Sequence, residues 1–85
     1  MGHSVEFKSV ARKSIAALPG DIKNRVISAA MSLADNPRPS GCKKLKGRDA
    51  AYRIRVGDYR IIYEIHNDVL IVMIVRVAHR REAYE

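Results

Sequence analysis

The sequence predicts an α+β domain: an N-terminal strand, an αα-hairpin, and a closing three-stranded antiparallel meander. Three observations predict it. Apolar residues recur at helical spacing between Ala11 and Leu33. From Ala50 onward they alternate with polar ones, the period of a half-buried strand. Two turn-forming pairs, "GD" at 57–58 and "ND" at 67–68, divide that second half into three strand patterns. A chain of 85 residues can bury one modest core, so 1–85 is expected to be one domain.

The elements follow in order. "SVEFK" alternates Val5 and Phe7 with polar neighbours and reads as a short strand. Ser9 is placed to cap a helix carrying Ala11, Ile15 and Leu18 on one face. "LPGD" breaks it, and Asp21 is placed to cap a second helix. There Ile22, Val26, Ala29, Ala30 and Leu33 form one apolar stripe. "DNPRPSG" ends that helix, because Pro37 disfavours helical geometry at Asn36. "CKKLKGR" is then a basic loop or the start of a strand. The meander follows as Ala50–Val56, Tyr59–His66 and Val69–Ala78, with two-residue turns between strands and Gly57 suited to a type II′ turn.

A two-residue turn at Gly57-Asp58 fixes the hairpin register. Val56 then faces Tyr59, Arg55 faces Arg60, Ile54 faces Ile61 and Arg53 faces Ile62. Cross-strand partners share a sheet face. Tyr52, Ile54, Val56, Tyr59, Ile61, Tyr63 and Ile65 therefore form an apolar face for the helices, and Arg53, Arg55 and Arg60 meet on the other. Like charges directly opposite destabilise a sheet by roughly 0.2–1 kcal/mol. A phosphate between Arg55 and Arg60 would turn that repulsion into charge-assisted hydrogen bonding. The third long strand is expected beside the second, returning its C-terminal end to Arg60.

Net charge is +7, and it is concentrated. The segment from Arg38 to Arg60 holds eight basic residues against Asp49 and Asp58, so it carries +6. Such a field attracts polyanions, with nucleic acid the first candidate and an acidic protein the other. The one cysteine, Cys42, excludes an internal disulfide and suits a reducing cytoplasm. The three histidines stand at no metal-ligand spacing with it, so neither metal nor cofactor is expected. No apolar run approaches the ~20 residues of a membrane span, and no membrane association is expected.

Taken together, "KKLKG", "YRIRVGDYRIIYEI" and "VRVAHRREAY" resemble the RelE/ParE superfamily of toxins from bacterial and archaeal toxin–antitoxin pairs. The resemblance spans nearly the whole chain. It implies a RelE-like, microbial-ribonuclease-like fold. In the RelE branch it also implies a ribosome-dependent endoribonuclease that cuts mRNA in the ribosomal A site, with a cognate antitoxin as partner and a toxin–antitoxin hetero-oligomer as its resting form. Carried over residue by residue, the catalytic positions are Arg53, Arg55, Arg60, Arg80 and Tyr84, with Arg81 able to exchange roles with Arg80. Lys43, Lys44, Lys46, Arg48, Arg81 and His79 are the further RNA-binding candidates. Positions 53 and 55 depart from the family pattern, which has lysines there. An arginine keeps the field but cannot serve as a base.

The implied reaction is attack of a 2′-OH on the adjacent phosphorus, without a metal. Arginine forks suit the negative charge that grows on the phosphoryl oxygens. Tyr84 either acts as base, if neighbouring arginines lower its pKa, or stacks on a base. Arg80 stabilises the leaving oxygen, and His79 is the second acid–base candidate. Two alternatives stand beside this reading. One is a ParE-like toxin that binds DNA gyrase and cuts nothing. The other is a degenerate module that binds nucleic acid or antitoxin without catalysis.

Overall fold

A computed structural model describes residues 2–47 and 50–81. The expected order of elements is present: β1 (Ser4–Phe7), α1 (Ser9–Ala16), α2 (Gly20–Ser32), β2 (Lys43–Lys44), β3 (Ala51–Val56), β4 (Tyr59–His66) and β5 (Ile71–His79). They build a five-stranded sheet in the order β1-β5-β4-β3-β2. The meander β3-β4-β5 is antiparallel, as expected. Two additions extend it. β1 pairs parallel with β5, and the two-residue β2 pairs antiparallel with β3. A parallel pair needs a crossover, and here the intervening chain from α1 to β4 supplies it.

Both helices pack on one face. Ala11 and Ile15 of α1, with Val26 and Ala30 of α2 and Leu33 just beyond it, join Ile54, Ile61, Tyr63, Ile65, Val72, Ile74 and Val77 in one buried cluster. The predicted stripes are thus the ones that fill the core. The predicted caps are not used. Ser9 and Asp21 both lie inside the first turn, and the N-cap positions fall to Lys8 and Pro19, neither with a side-chain capping bond. Asp21 still suits its place, because a carboxylate favours the positive end of a helix dipole.

The β4–β5 connection also differs from expectation. His66 pairs with Ile71, so the loop is four residues, Asn67 to Leu70, rather than the pair "ND". Leu70 closes it at φ +55. A bulge between Ile62 and Tyr63 then shifts the ladder, so that Ile62 faces Arg76 while Tyr63 faces Ile74. Beyond the bulge β5 still returns to the hairpin turn, with Arg60 opposite Ala78 and Tyr59 opposite His79.

One side chain ties the segment between α2 and β2 to the sheet. Tyr63 is fully buried, and its hydroxyl donates 2.7 Å to the Pro37 carbonyl. Its ring stacks on Tyr52 at 5.9 Å, and Arg38 lies over Tyr52 and donates to its hydroxyl at 3.2 Å. Burial first, and Cys42 second, push the Tyr63 phenol well above its ordinary range. Cys42 is half-buried against the core there, a packing residue. This anchorage delivers Lys43 and Lys44 to the edge of β3. No helix among the described residues is long and apolar enough to cross a membrane.

Candidate functional site

The hairpin register is the predicted one throughout: Val56 faces Tyr59, Arg55 faces Arg60, Ile54 faces Ile61 and Arg53 faces Ile62. Gly57 makes it possible. Its φ of +59 is a conformation that glycine adopts without strain, and it opens the two-residue turn. The arginines accordingly project from the face opposite the helices.

Their environments are unequal. Arg53 is buried, with 4% of its surface exposed, between Lys43 of β2 and Ile62 of β4. Arg60 is half-buried and Arg55 exposed. Arg53 and Arg60 each have polar or electrostatic partners of their own. A buried charge is costly unless it is partnered, so Arg53 is a fixed element of the sheet rather than a mobile fork.

The face holds two adjoining concavities rather than one. The first, about 330 Å³, is lined by Arg55, Gly57, Asp58, Tyr59, Arg60 and Arg80. The second, about 440 Å³, is lined by Lys43, Lys44, Leu45, Lys46, Arg53 and Arg55. Arg55 belongs to both. The expected single meeting of Arg53, Arg55 and Arg60 is thereby divided, with Arg53 and Arg60 on different sides of Arg55.

Arg80 is held in the first concavity by the hairpin turn. Its backbone N–H donates 2.7 Å to the Asp58 carbonyl, and its Nε lies 3.9 Å from Asp58 Oδ1. The ion pair is exposed and contributes little by itself. The backbone bond is what fixes the position. Arg81 is exposed outside that concavity, its N–H donating to His79 Nδ1. Of the two closing arginines it is therefore Arg80 that joins Arg55 and Arg60.

His79 does not reach the arginine face. It is cross-strand partner to Tyr59 and meets that ring edge-on at 5.2 Å, on the helix side of the sheet. Strand alternation is the reason: Ala78, not His79, shares a face with Arg60. His66 does project to the arginine face, at its far end, and contacts Glu64 Oε1 at 3.0 Å. Arg48 and Tyr84 lie outside the described residues.

The sequence reading missed three contributors. Arg76 stands opposite Ile62, in the row that contains Arg53. Continuing the ladder into β5 finds it only with the bulge between Ile62 and Tyr63, since the four-residue loop alone would set Arg76 opposite Ile61, on the helix side. Asp58 was read as a turn residue and as one of two acids in the basic segment, yet its carbonyl seats Arg80. Arg25 of α2 brings its guanidinium within 3.7 Å of where a side chain on Gly57 would begin. Its position depends on tertiary packing, and no local signal marks it.

Comparison with known proteins bears on the chain as a whole. The family described as "ParE toxin of type II toxin-antitoxin system, parDE" matches residues 5–84. Toxin RelE3 of Methanocaldococcus jannaschii is 35% identical over 85 residues, covering 95% of this chain and 94% of its own. Toxin RelG of Mycobacterium tuberculosis is 31% identical over 85 residues, covering 99% and 98%. Among solved structures, the RelE–RelB complex of Pyrococcus horikoshii superposes with a TM-score of 0.84 at 27% identity, over 98% of this chain and all of that one. The RelBE2 toxin–antitoxin complex of Mycobacterium tuberculosis superposes at 0.81 with 31% identity, over 94% and 100%. The family match spans nearly the whole chain and the relatives' folds superpose on it, and the chain belongs to the ParE toxin family of type II toxin–antitoxin systems, within the RelE/ParE superfamily.

Proposed function

We propose that the protein is a toxin of the RelE type, a ribosome-dependent endoribonuclease that cuts mRNA in the ribosomal A site and so stops translation. The observation that carries this reading is the convergence of Arg55, Arg60 and Arg80 on one concavity beside the hairpin turn. Three guanidiniums, two from facing strands and one from just beyond the end of β5 where a backbone bond latches it, suit a phosphate that gains charge.

The 2′-OH of the upstream nucleotide attacks the adjacent phosphorus, and the 5′-oxygen of the next nucleotide leaves. The products are a 2′,3′-cyclic phosphate and a 5′-OH. Arg55 and Arg60 hold the non-bridging oxygens, and Arg80 stabilises the leaving oxygen. Tyr84 is the expected base or stacking group. No imidazole stands beside Arg60 among the described residues, since His79 is on the other face and His66 at the far end. Proton transfer is consequently weakly equipped, and positioning supplies most of the rate. The ribosome provides that positioning. A cognate antitoxin holds the toxin inactive in a cytoplasmic hetero-oligomer, as the toxin–antitoxin complexes among its structural relatives suggest.

Primer extension on an mRNA under translation, beside the same mRNA without ribosomes, tests this. In-frame cuts that need ribosomes and vanish in Arg60→Ala are expected. Intact mRNA in both conditions would overturn it. The ParE description of the matching family would then make gyrase inhibition the next assay, with the arginine face as a docking surface.

A further inference from the structure

Gly57 opens the hairpin turn at φ +59, and the room that a side chain there would take is occupied from the helix layer. Arg25 of α2 reaches it with the forked end of its guanidinium. Nη1 and Nη2 both lie 3.7 Å, and Cζ 4.0 Å, from where a Cβ on Gly57 would sit. Apart from the chain neighbours of Gly57, the atoms nearest that point all belong to Arg25. The fork straddles the turn from behind. Gly57 and Asp58 line the turn concavity in front, with Arg80, whereas Arg25 is not among its lining residues.

What stands on this turn is Arg80. Its N–H donates 2.7 Å to the Asp58 carbonyl, and its Nε lies 3.9 Å from Asp58 Oδ1. That backbone bond is made one residue beyond the end of β5, past the last rung of the ladder. A bond at such a border opens by local motion more readily than one inside a sheet. Its persistence depends on how firmly the Asp58 carbonyl is held. Gly57 and Asp58 are both exposed, so the turn has few neighbours to hold it. Arg25 is a contact that ties the turn glycine to the helix layer.

We infer that Arg25 is a positioning residue for Arg80. It braces the Gly57-Asp58 turn from the helix side, and the braced Asp58 carbonyl keeps Arg80 in the turn concavity. Arg25 acts through the turn rather than on a substrate. A lysine does not replace it, because an ammonium is a strongly hydrated point charge without a fork. The consequence for cleavage rests on the ribonuclease reading. The brace itself does not, since the Arg80 amide reports it directly.

The test is amide hydrogen exchange by NMR on the full chain. Wild type is compared with Arg25→Ala, with Arg25→Lys and with Lys13→Ala, an exposed control on α1. The Arg80 amide is expected to exchange at least about twofold faster in Arg25→Ala, the lower end of the coupling between residues in contact. It is expected to exchange as fast in Arg25→Lys, and at the wild-type rate in Lys13→Ala. The amides of Tyr63 and Ile65, both buried and the second bonded to the Ala50 carbonyl at 2.9 Å, should keep their rates throughout. An unchanged Arg80 amide in Arg25→Ala overturns the inference. So does equal acceleration at Tyr63 and Ile65, which makes Arg25 a residue of general stability. Full protection in Arg25→Lys overturns it too, since charge without the fork would then suffice. Ribosome-dependent mRNA cleavage is the second arm. Arg25→Ala is expected to lower kcat with KM unchanged, and to lower it no further in an Arg80→Ala background. A rise in KM alone, or a fully additive loss beside Arg80→Ala, removes Arg25 from the positioning of Arg80. If wild type cuts no mRNA, the ribonuclease reading falls and the exchange rates alone decide the brace.

Discussion

The two faces of the sheet are built from the same three strands by opposite rules. On the helix side, Ile54, Ile61, Tyr63, Ile65, Val72, Ile74 and Val77 are all buried and each contacts apolar neighbours. On the other side, alternate residues of those strands include Arg53, Arg55, Arg60 and Arg76, with like charges opposite one another. Shape and burial explain the first face without reference to any ligand. The second places Arg55 directly opposite Arg60, a pairing that works against stability by itself. Alternation at period two is what lets one strand serve both ends, since a residue and its neighbour never share a face. Stability and function are in this way separated by about one strand thickness rather than by distance along the chain.

The largest effect expected is on the helix side. Ile61→Ala truncates a fully buried core residue and should cost about 2–5 kcal/mol. In a domain of this size each kcal/mol lowers Tm by roughly 4–8 °C, so thermal melting should show a drop of at least several degrees. An unchanged Tm would mean that the division between the faces is wrongly drawn. Next comes Arg60→Ala, which should reduce ribosome-dependent cleavage by about 10²–10³ while Tm moves little. A collapse of Tm in that variant would make Arg60 structural.

Tyr63→Phe sharpens the same comparison through pH. It removes the donor to the Pro37 carbonyl, a loss of about 1–3 kcal/mol if that oxygen is left without a partner. The Tyr63 phenol is raised in the fold, mainly by burial. Its unfolded pKa is about 10. The unfolded state therefore loses its proton first as pH rises, and the fold is penalised from about pH 10 upward, with no effect of this group below that. Urea midpoints measured from pH 8 to about pH 11 should fall more steeply for wild type than for Tyr63→Phe. Parallel curves would show that another group sets the alkaline limit. The smallest effect is the most pointed. Arg55→Ala removes one of two facing arginines and should stabilise the domain by about 0.2–1 kcal/mol while weakening RNA binding. If it destabilises instead, the pair is not in conflict and the functional reading of its geometry fails.

Much of this was legible in the sequence because the information is local. The Gly57-Asp58 turn sets the register of both hairpin strands, and the register alone sorts the side chains between faces. The helical stripes were legible for the same reason. What escaped depends on contacts across the fold. Nothing near Asn67 announces that Val69 and Leu70 stay in the loop, since both are strand-formers. The burial of Arg53 needs β2 on one side and Ile62 on the other, and two residues are too few for the sequence to decide between a loop and a strand there. The placement of His79 follows from alternation, but only once the pairing of Tyr59 with that residue is known. The division of one arginine cluster into two concavities is a consequence of those same non-local facts.

The strand β2 has a further consequence, which concerns aggregation rather than catalysis. It ends the sheet in the order β1-β5-β4-β3-β2, and an edge strand offers its backbone to any other strand that approaches. Here the edge is two residues long and both are exposed lysines. Shortness and charge are the two devices that keep such an edge from recruiting a second molecule. Lys43 and Lys44, RNA-binding candidates by resemblance, thus also guard the border of the sheet. A chain that replaced both with apolar residues would shed its protection against edge-to-edge association, whatever else the two lysines bind.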